Sequence, residues 1–82
     1  MQPKELGSLI TFHRKRAQLS QIELAEHSGV SRFVVQDIEA GRDRTTWRNL
    51  LAVLSVLNLK LDPVGPLVPE WRRSFDGKQP TK

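Results

Sequence analysis

Between Ser20 and Gly41 the chain reads SQIELAEHSGVSRFVVQDIEAG, and the spacing of its small and apolar residues admits very few arrangements. Counted from Gln21, apolar residues occupy the fourth, tenth, fifteenth and eighteenth places (Leu24, Val30, Val35, Ile38), with a tiny residue at the fifth, Ala25, and a glycine at the ninth, Gly29. Two short helices joined by a glycine turn satisfy all of these positions. Helices that cross steeply approach closely at Ala25, where a larger side chain would push the second helix out of register. Gly29 supplies the positive backbone dihedral that ends the first helix at no Cβ penalty. The four larger apolar residues form a seam beneath the pair, which leaves the other face of the second helix free. The punctuation agrees: Ser20 and Glu23 stand at N-cap and N3 of a capping box, Ser31 can cap the second helix, and Gly41 can stop it.

With 82 residues the chain has room for one small domain, and a core this modest often gains stability by association. It contains no cysteine, so neither disulfides nor a thiolate metal site hold it together, and a reducing compartment suits it. The amino end lacks the apolar core of a secretory signal and no apolar run approaches membrane length, so a cytoplasmic protein is expected. A net charge of +4 and a pI of about 10.1 favour a polyanionic partner without requiring one.

Upstream, Leu6, Leu9, Ile10, His13 and Ala17 repeat at helical spacing, predicting a first helix from about Lys4 to Gln18 that packs behind the motif. Its last turn carries Arg14, Lys15 and Arg16, which complement the helix dipole and either lie near phosphates or end the helix as solvated charges. His13 and His27 have no partner at ligand spacing and read as structural or surface histidines. Metal and cofactor sites are therefore not expected.

Downstream, Thr45 or Thr46 can cap a fourth helix from about Trp47 to Leu57, with Asn58 closing it. Trp47, Leu50, Leu51, Val53, Leu54, Val56 and Leu57 cover more of its circumference than one small core needs. The surplus predicts a twofold contact through Trp47, Leu51 and Leu54. Residues 59–64, LKLDPV, alternate apolar and polar, which predicts a short strand that pairs with its counterpart across the dimer through Leu59 and Leu61. Two short helices meeting at a glycine turn make a helix-turn-helix, whose usual target is the DNA major groove, so residues 4–64 read as one DNA-binding and dimerisation domain. Residues 65–82 read as a Pro-containing tail, extended or disordered, in which Trp71 and Phe75 can bind a partner or anchor the tail to its own domain.

From Leu6 to Val64 the chain resembles the Cro and lambda-repressor type of helix-turn-helix domain, the XRE family. Within it the chain is most similar to HipB-like antitoxins, on LSQIELAEHSGVSRFVVQDIEAGR, the DRTTW connector and VLSVLNLKLDPV. The resemblance implies an all-α, lambda-repressor-like fold of four to five short helices with the C-terminal strand paired across a homodimer. It also implies a repressor that binds inverted repeats in its own promoter, as the antitoxin of a toxin-antitoxin operon, together with a HipA-type kinase toxin. A stand-alone phage-type or housekeeping regulator is the alternative, and a protein-interaction module with weak DNA binding is the alternative of another class.

Family pattern and helical geometry agree on the base readers: Ser31, Arg32, Phe33 and Gln36 share the face of the second motif helix opposite Val35 and Ile38. Arg32 suits the N7 and O6 acceptors of guanine, Gln36 suits adenine, and Phe33 suits a thymine methyl or packs on Arg32 or helix one. Phosphate contacts are expected from Gln21 and Ser31 at helix amino ends, and from Arg42, Arg44 and Arg48 in and after the connector. Asp37 is expected to orient Arg32 or Arg42, and Glu39 to face solvent. No histidine pair, paired carboxylates, activated serine or phosphate-cradling loop supports an enzyme, and Ser8, Ser28 and Ser55 have no evident base partner.

Overall fold

Each of the first four helices begins where the chain can satisfy its own leading amides. A computed structural model describes residues 1–78 and places α1 at Pro3–Arg16, α2 at Gln21–Ser28, α3 at Arg32–Glu39, α4 at Trp47–Val56 and α5 at Val68–Lys78. Ser20 Oγ accepts from Glu23 N at 3.0 Å while Ser20 N donates to Glu23 Oε1 at 2.8 Å, completing the expected capping box. Hydrogen bonding to the carboxylate, first from the Ser20 backbone amide and then from the Ser20 side chain, holds the Glu23 carboxyl below its usual range. Ser31 Oγ accepts from Val34 N at 3.3 Å, and Thr46, rather than Thr45, caps α4 by accepting from Asn49 N at 3.1 Å.

The same four helices end alike. In each, a residue with positive φ (Gln18, Gly29, Gly41, Asn58) turns the chain, and the amide of the next residue reaches back five residues to a carbonyl in the last turn of the helix. These bonds run from Leu19 to Arg14 (3.1 Å), Val30 to Ala25 (3.0 Å), Arg42 to Asp37 (2.8 Å) and Leu59 to Leu54 (2.8 Å). This is the Schellman arrangement, which uses up carbonyls that the helix leaves orphaned. Three of the four returning residues, Leu19, Val30 and Leu59, are apolar and pack against the core.

That core is Ile10, Leu24, Ala25, Val35, Ile38, Val53 and Leu54, drawn from all four helices. α1 and α2 both pack on α3, and α4 packs chiefly on α2. Gly7 marks the closest approach: a Cβ there would stand 2.5 Å from the Ile38 carbonyl oxygen and 2.6 Å from that of Glu39. The backbone of α1 therefore seats directly on the end of α3.

Two expectations need correction. No β-strand occurs among the described residues, so strand pairing across a dimer is unsupported and the fold is a five-helix, all-α bundle. The alternation at 59–64 has another origin, since Leu59 is the apolar residue that closes α4 and only one side of it meets the core. The composition after residue 64 did not prevent regular structure either, because α5 forms with Pro69 in its first turn, where a missing amide costs no helical bond. α5 makes no helix-to-helix contact comparable with those of the other four; Arg72 Nη2 donates to Asp62 Oδ1 at 2.7 Å. No described helix is long and apolar enough to cross a membrane.

Candidate nucleic-acid interface

The amphipathic division of α3 sets the site. Val35 and Ile38 are 0% and 4% exposed, whereas Ser31, Arg32 and Phe33 lie open to solvent on the opposite face, with Phe33 63% exposed. Gln36 follows one turn later and is half-buried. The Arg32 guanidinium sits 5.1 Å from the Phe33 ring centroid, so the two stack as a pair and limit each other's freedom. This arrangement presents a bidentate donor, an apolar ring and an amide along about one and a half turns, the reach of a helix end into a major groove.

Behind that face an internal ion pair fixes where α3 ends. Arg14 Nε donates to Glu39 Oε2 at 2.6 Å, Nη2 donates to Oε1 at 3.1 Å, and Nη1 donates to the Leu19 carbonyl at 2.9 Å. The two side chains are only 12% and 6% exposed. The expectation that Glu39 faces solvent is therefore corrected, and Arg14 is an internal tie joining α1 to α3. Burial alone would raise the Glu39 carboxyl, but hydrogen bonds from Arg14, Gln21 and Thr11 outweigh it and hold the group below its ordinary value. Neither partner was identified as a pair from sequence, and Gly7 was not singled out; their spacing carries no local signal.

The expected phosphate residues fall into two groups. Gln21 Nε2 donates to Glu39 Oε1 at 3.0 Å, so its side chain is pinned by the ion pair at the start of α2. Ser31 uses its oxygen as a cap acceptor and keeps its hydroxyl hydrogen to donate. Arg42 and Arg44 are exposed and both donate to Asp37 Oδ1, at 3.2 and 3.0 Å. Asp37 thus orients Arg42, as one expectation had it, and Arg44, but not Arg32. Arg48 is exposed in the first turn of α4, and Lys15 and Arg16 are exposed at the end of α1. His13 is half-buried with Nδ1 2.8 Å from the Leu9 carbonyl, and His27 is exposed.

The residues expected at a subunit contact also separate. Trp47 is 82% exposed and lies with Leu51 and Leu61 around a depression of about 370 Å³ that Met1, Leu6 and Leu50 also line. Leu59 is half-buried. Leu54 belongs to the core of its own subunit at 2% exposure and so is withdrawn from that face, because the helical period turns it inward beside Val53. In α5 the Trp71 and Phe75 rings stack 5.5 Å apart and remain exposed.

Comparison with known proteins agrees with this geometry. The family profile described as "Helix-turn-helix domain" matches residues 5–67. The ImmF control region 10 kDa protein of Bacillus phage phi105 is 39% identical over 59 residues, covering 72% of this chain and 66% of that protein. The HTH-type transcriptional regulator y4mF of Sinorhizobium fredii is 34% identical over 64 residues, covering 78% of this chain and 84% of that one. Among solved structures, the restriction-modification controller protein C.AhdI from Aeromonas hydrophila superposes with a TM-score of 0.64 at 28% identity, covering 71% and 88% of the two chains. A chain of the HipA–HipB–O2–O3 complex superposes with a TM-score of 0.72 at 23% identity, covering 79% and 92%, a likeness of fold. The family is one of non-catalytic DNA-binding domains. By the span of the profile and the identity of these relatives, the chain belongs to the helix-turn-helix family of the XRE/Cro type.

Proposed function

We propose that this DNA-binding helix-turn-helix regulator acts as a homodimeric, sequence-specific repressor of its own promoter, with α3 of each subunit in the major groove of one half-site. The observation that carries the reading is the division of α3 into a buried seam, Val35 and Ile38, and an outer face on which Ser31, Arg32 and Phe33 are exposed and Gln36 is half-buried. Arg32 is assigned to a guanine, Gln36 to an adenine, and the Phe33 ring to thymine methyls. Gln21, Ser31, Arg42, Arg44 and Arg48 are assigned to phosphates, where they set register and make binding fall with salt. The exposed patch of Trp47, Leu51 and Leu61 is assigned to the twofold contact, which brings two α3 helices to half-sites about 34 Å apart. Control proteins of a phage and of a restriction-modification system among the relatives support a regulatory role.

A second reading adds a protein partner. The stacked Trp71 and Phe75 of α5, exposed and outside the family match, favour an antitoxin that also restrains a HipA-type kinase toxin. The fold shared with a chain of the HipA–HipB–O2–O3 complex is compatible with it. Without such a partner the protein is a stand-alone regulator of phage type.

The test is fluorescence anisotropy with duplexes from the region upstream of the gene and with scrambled duplexes of equal length. Arg32→Ala should cost about 1 to 3 kcal/mol on the specific duplex, relax preference at one base pair and leave scrambled DNA nearly unaffected. An unchanged ratio of the two affinities removes α3 as the reader. Co-purification of the neighbouring gene product, lost on Trp71→Ala, tests the second reading.

A further inference from the structure

Helix α3 closes differently from its neighbours. In α1, α2 and α4 the residue that returns its amide to the helix is apolar and packs inward, the contact that ordinarily accompanies this cap. In α3 the returning residue is Arg42. Its amide bonds the Asp37 carbonyl at 2.8 Å and its guanidinium Nη1 bonds the Asp37 carboxylate at 3.2 Å, so one residue of the reading helix holds Arg42 at both ends. Arg44 Nη2 reaches the same Oδ1 atom at 3.0 Å. Two arginine heads from an irregular connector therefore meet at a single carboxylate oxygen.

We infer that Asp37 is a positioning residue for specificity, holding Arg42 and Arg44 together as one fork that grips a single backbone phosphate beside the groove read by α3. The inference rests on the DNA-binding reading above. Two guanidiniums repel each other and sample many rotamers; a shared carboxylate offsets the repulsion and leaves both heads placed before DNA arrives. The cluster still carries one net positive charge. Each guanidinium has five N–H donors, and each spends one on Asp37, so donors remain for a phosphate oxygen. Both heads are exposed, at 55% and 67%, whereas the Asp37 side chain between them is 23% exposed, which keeps the carboxylate behind the arginines.

The fork also discriminates. When α3 is seated in its correct register, the arginines stand between Asp37 and the phosphate. On a wrong sequence α3 does not seat, the fork is not aligned, and the Asp37 charge faces the polyanion with less shielding. Asp37 thus strengthens correct binding and weakens incorrect binding, the opposite of what an acidic residue acting through charge alone would do.

The experiment compares wild type, Asp37→Asn, Asp37→Glu, Arg42→Gln/Arg44→Gln and the triple variant Asp37→Asn/Arg42→Gln/Arg44→Gln. The probes are the tightest duplex selected from a randomised pool and a scrambled duplex of the same composition, each titrated over a range of salt. Asp37→Asn is expected to weaken the selected duplex about tenfold while scrambled DNA binds equally or more tightly. In the background lacking both arginines the same substitution should leave the affinity for the selected duplex unchanged or increase it. The arginine pair should lower the logarithmic salt slope by about 1 and not by about 2, as expected of one shared phosphate. Asp37→Glu, which keeps the carboxylate, should retain more of the selectivity than Asp37→Asn. The inference is overturned if Asp37→Asn tightens both duplexes by the same factor, or if its loss on the selected duplex persists without the arginines. It is also overturned if Asp37→Asn alone leaves both affinities unchanged. Thermal melting of each variant separates these results from misfolding, and the arginine pair, being exposed, probes the fork even if Asp37 variants melt early. Failure of the wild type to enrich any sequence would instead sink the DNA-reading proposal.

Discussion

Removing either member of the Arg14–Glu39 pair leaves the other charged and nearly water-free. Arg14→Met or Glu39→Leu alone should therefore destabilise the fold by about 3 kcal/mol, whereas the two together should recover most of the loss by replacing ions with packed hydrocarbon. Urea unfolding of the three variants checks this. The pair also predicts a pH dependence. The native Glu39 carboxyl titrates below its unfolded value of about 4.3, so its contribution is complete above that pH and is lost as pH falls through the depressed native value. Stability of the wild type should fall more steeply than that of Glu39→Gln between about pH 5 and pH 3. None of this was legible from spacing: Arg14 and Glu39 are 25 residues apart, on helices whose relative rotation only packing decides. The exposure of Arg32 and Phe33 was legible, because a helical period alone sends them away from Val35 and Ile38.

At the scale of the helices, the stops and starts were readable and their consequences partly so. Ser20, Ser31 and Thr46 act as caps and Gly29 and Gly41 as stops, because those residue types satisfy backbone groups or tolerate positive φ wherever they stand. The strand at 59–64 failed for a related reason. Apolar alternation over a few residues is also what a helix cap leaves when its returning residue, here Leu59, is half-buried against the core and the next is exposed. Two glycines separate two kinds of constraint. Around Gly29 nothing stands within 4 Å of an added Cβ, so only the dihedral of +72° opposes substitution. Gly29→Ala should cost about 1 kcal/mol and Gly29→Asn less. At Gly7 the obstacle is the backbone of α3, so Gly7→Ala and Gly7→Asn should both destabilise, Asn at least as much, by about 2 kcal/mol or more. Melting temperatures of the four variants distinguish dihedral strain from collision.

For the whole molecule, exposed apolar side chains around one depression, Trp47, Leu51 and Leu61 among them, set the expectation of association. Leu51→Lys should shift the protein toward monomer in sedimentation equilibrium and weaken binding to paired half-sites far more than to a single half-site. The melting temperature of the wild type should rise with protein concentration, and that of the variant should not. The surplus of apolar surface on α4, with Trp47 and Leu51 in it, was readable in advance, but the exclusion of Leu54 was not. Leu54 lies only three positions from Leu51, and its inward placement depends on how α4 is rotated against α2.

The split of α3 into seam and outer face has one more consequence. Arg32 and Phe33 add nothing to the buried cluster, and Val35 and Ile38 add nothing to the exposed outer face. On the reading proposed above, address and scaffold are consequently written in different letters of the same eight-residue word. The target of such a protein can drift by a few point changes, generation after generation, while the body that carries it stays as it is.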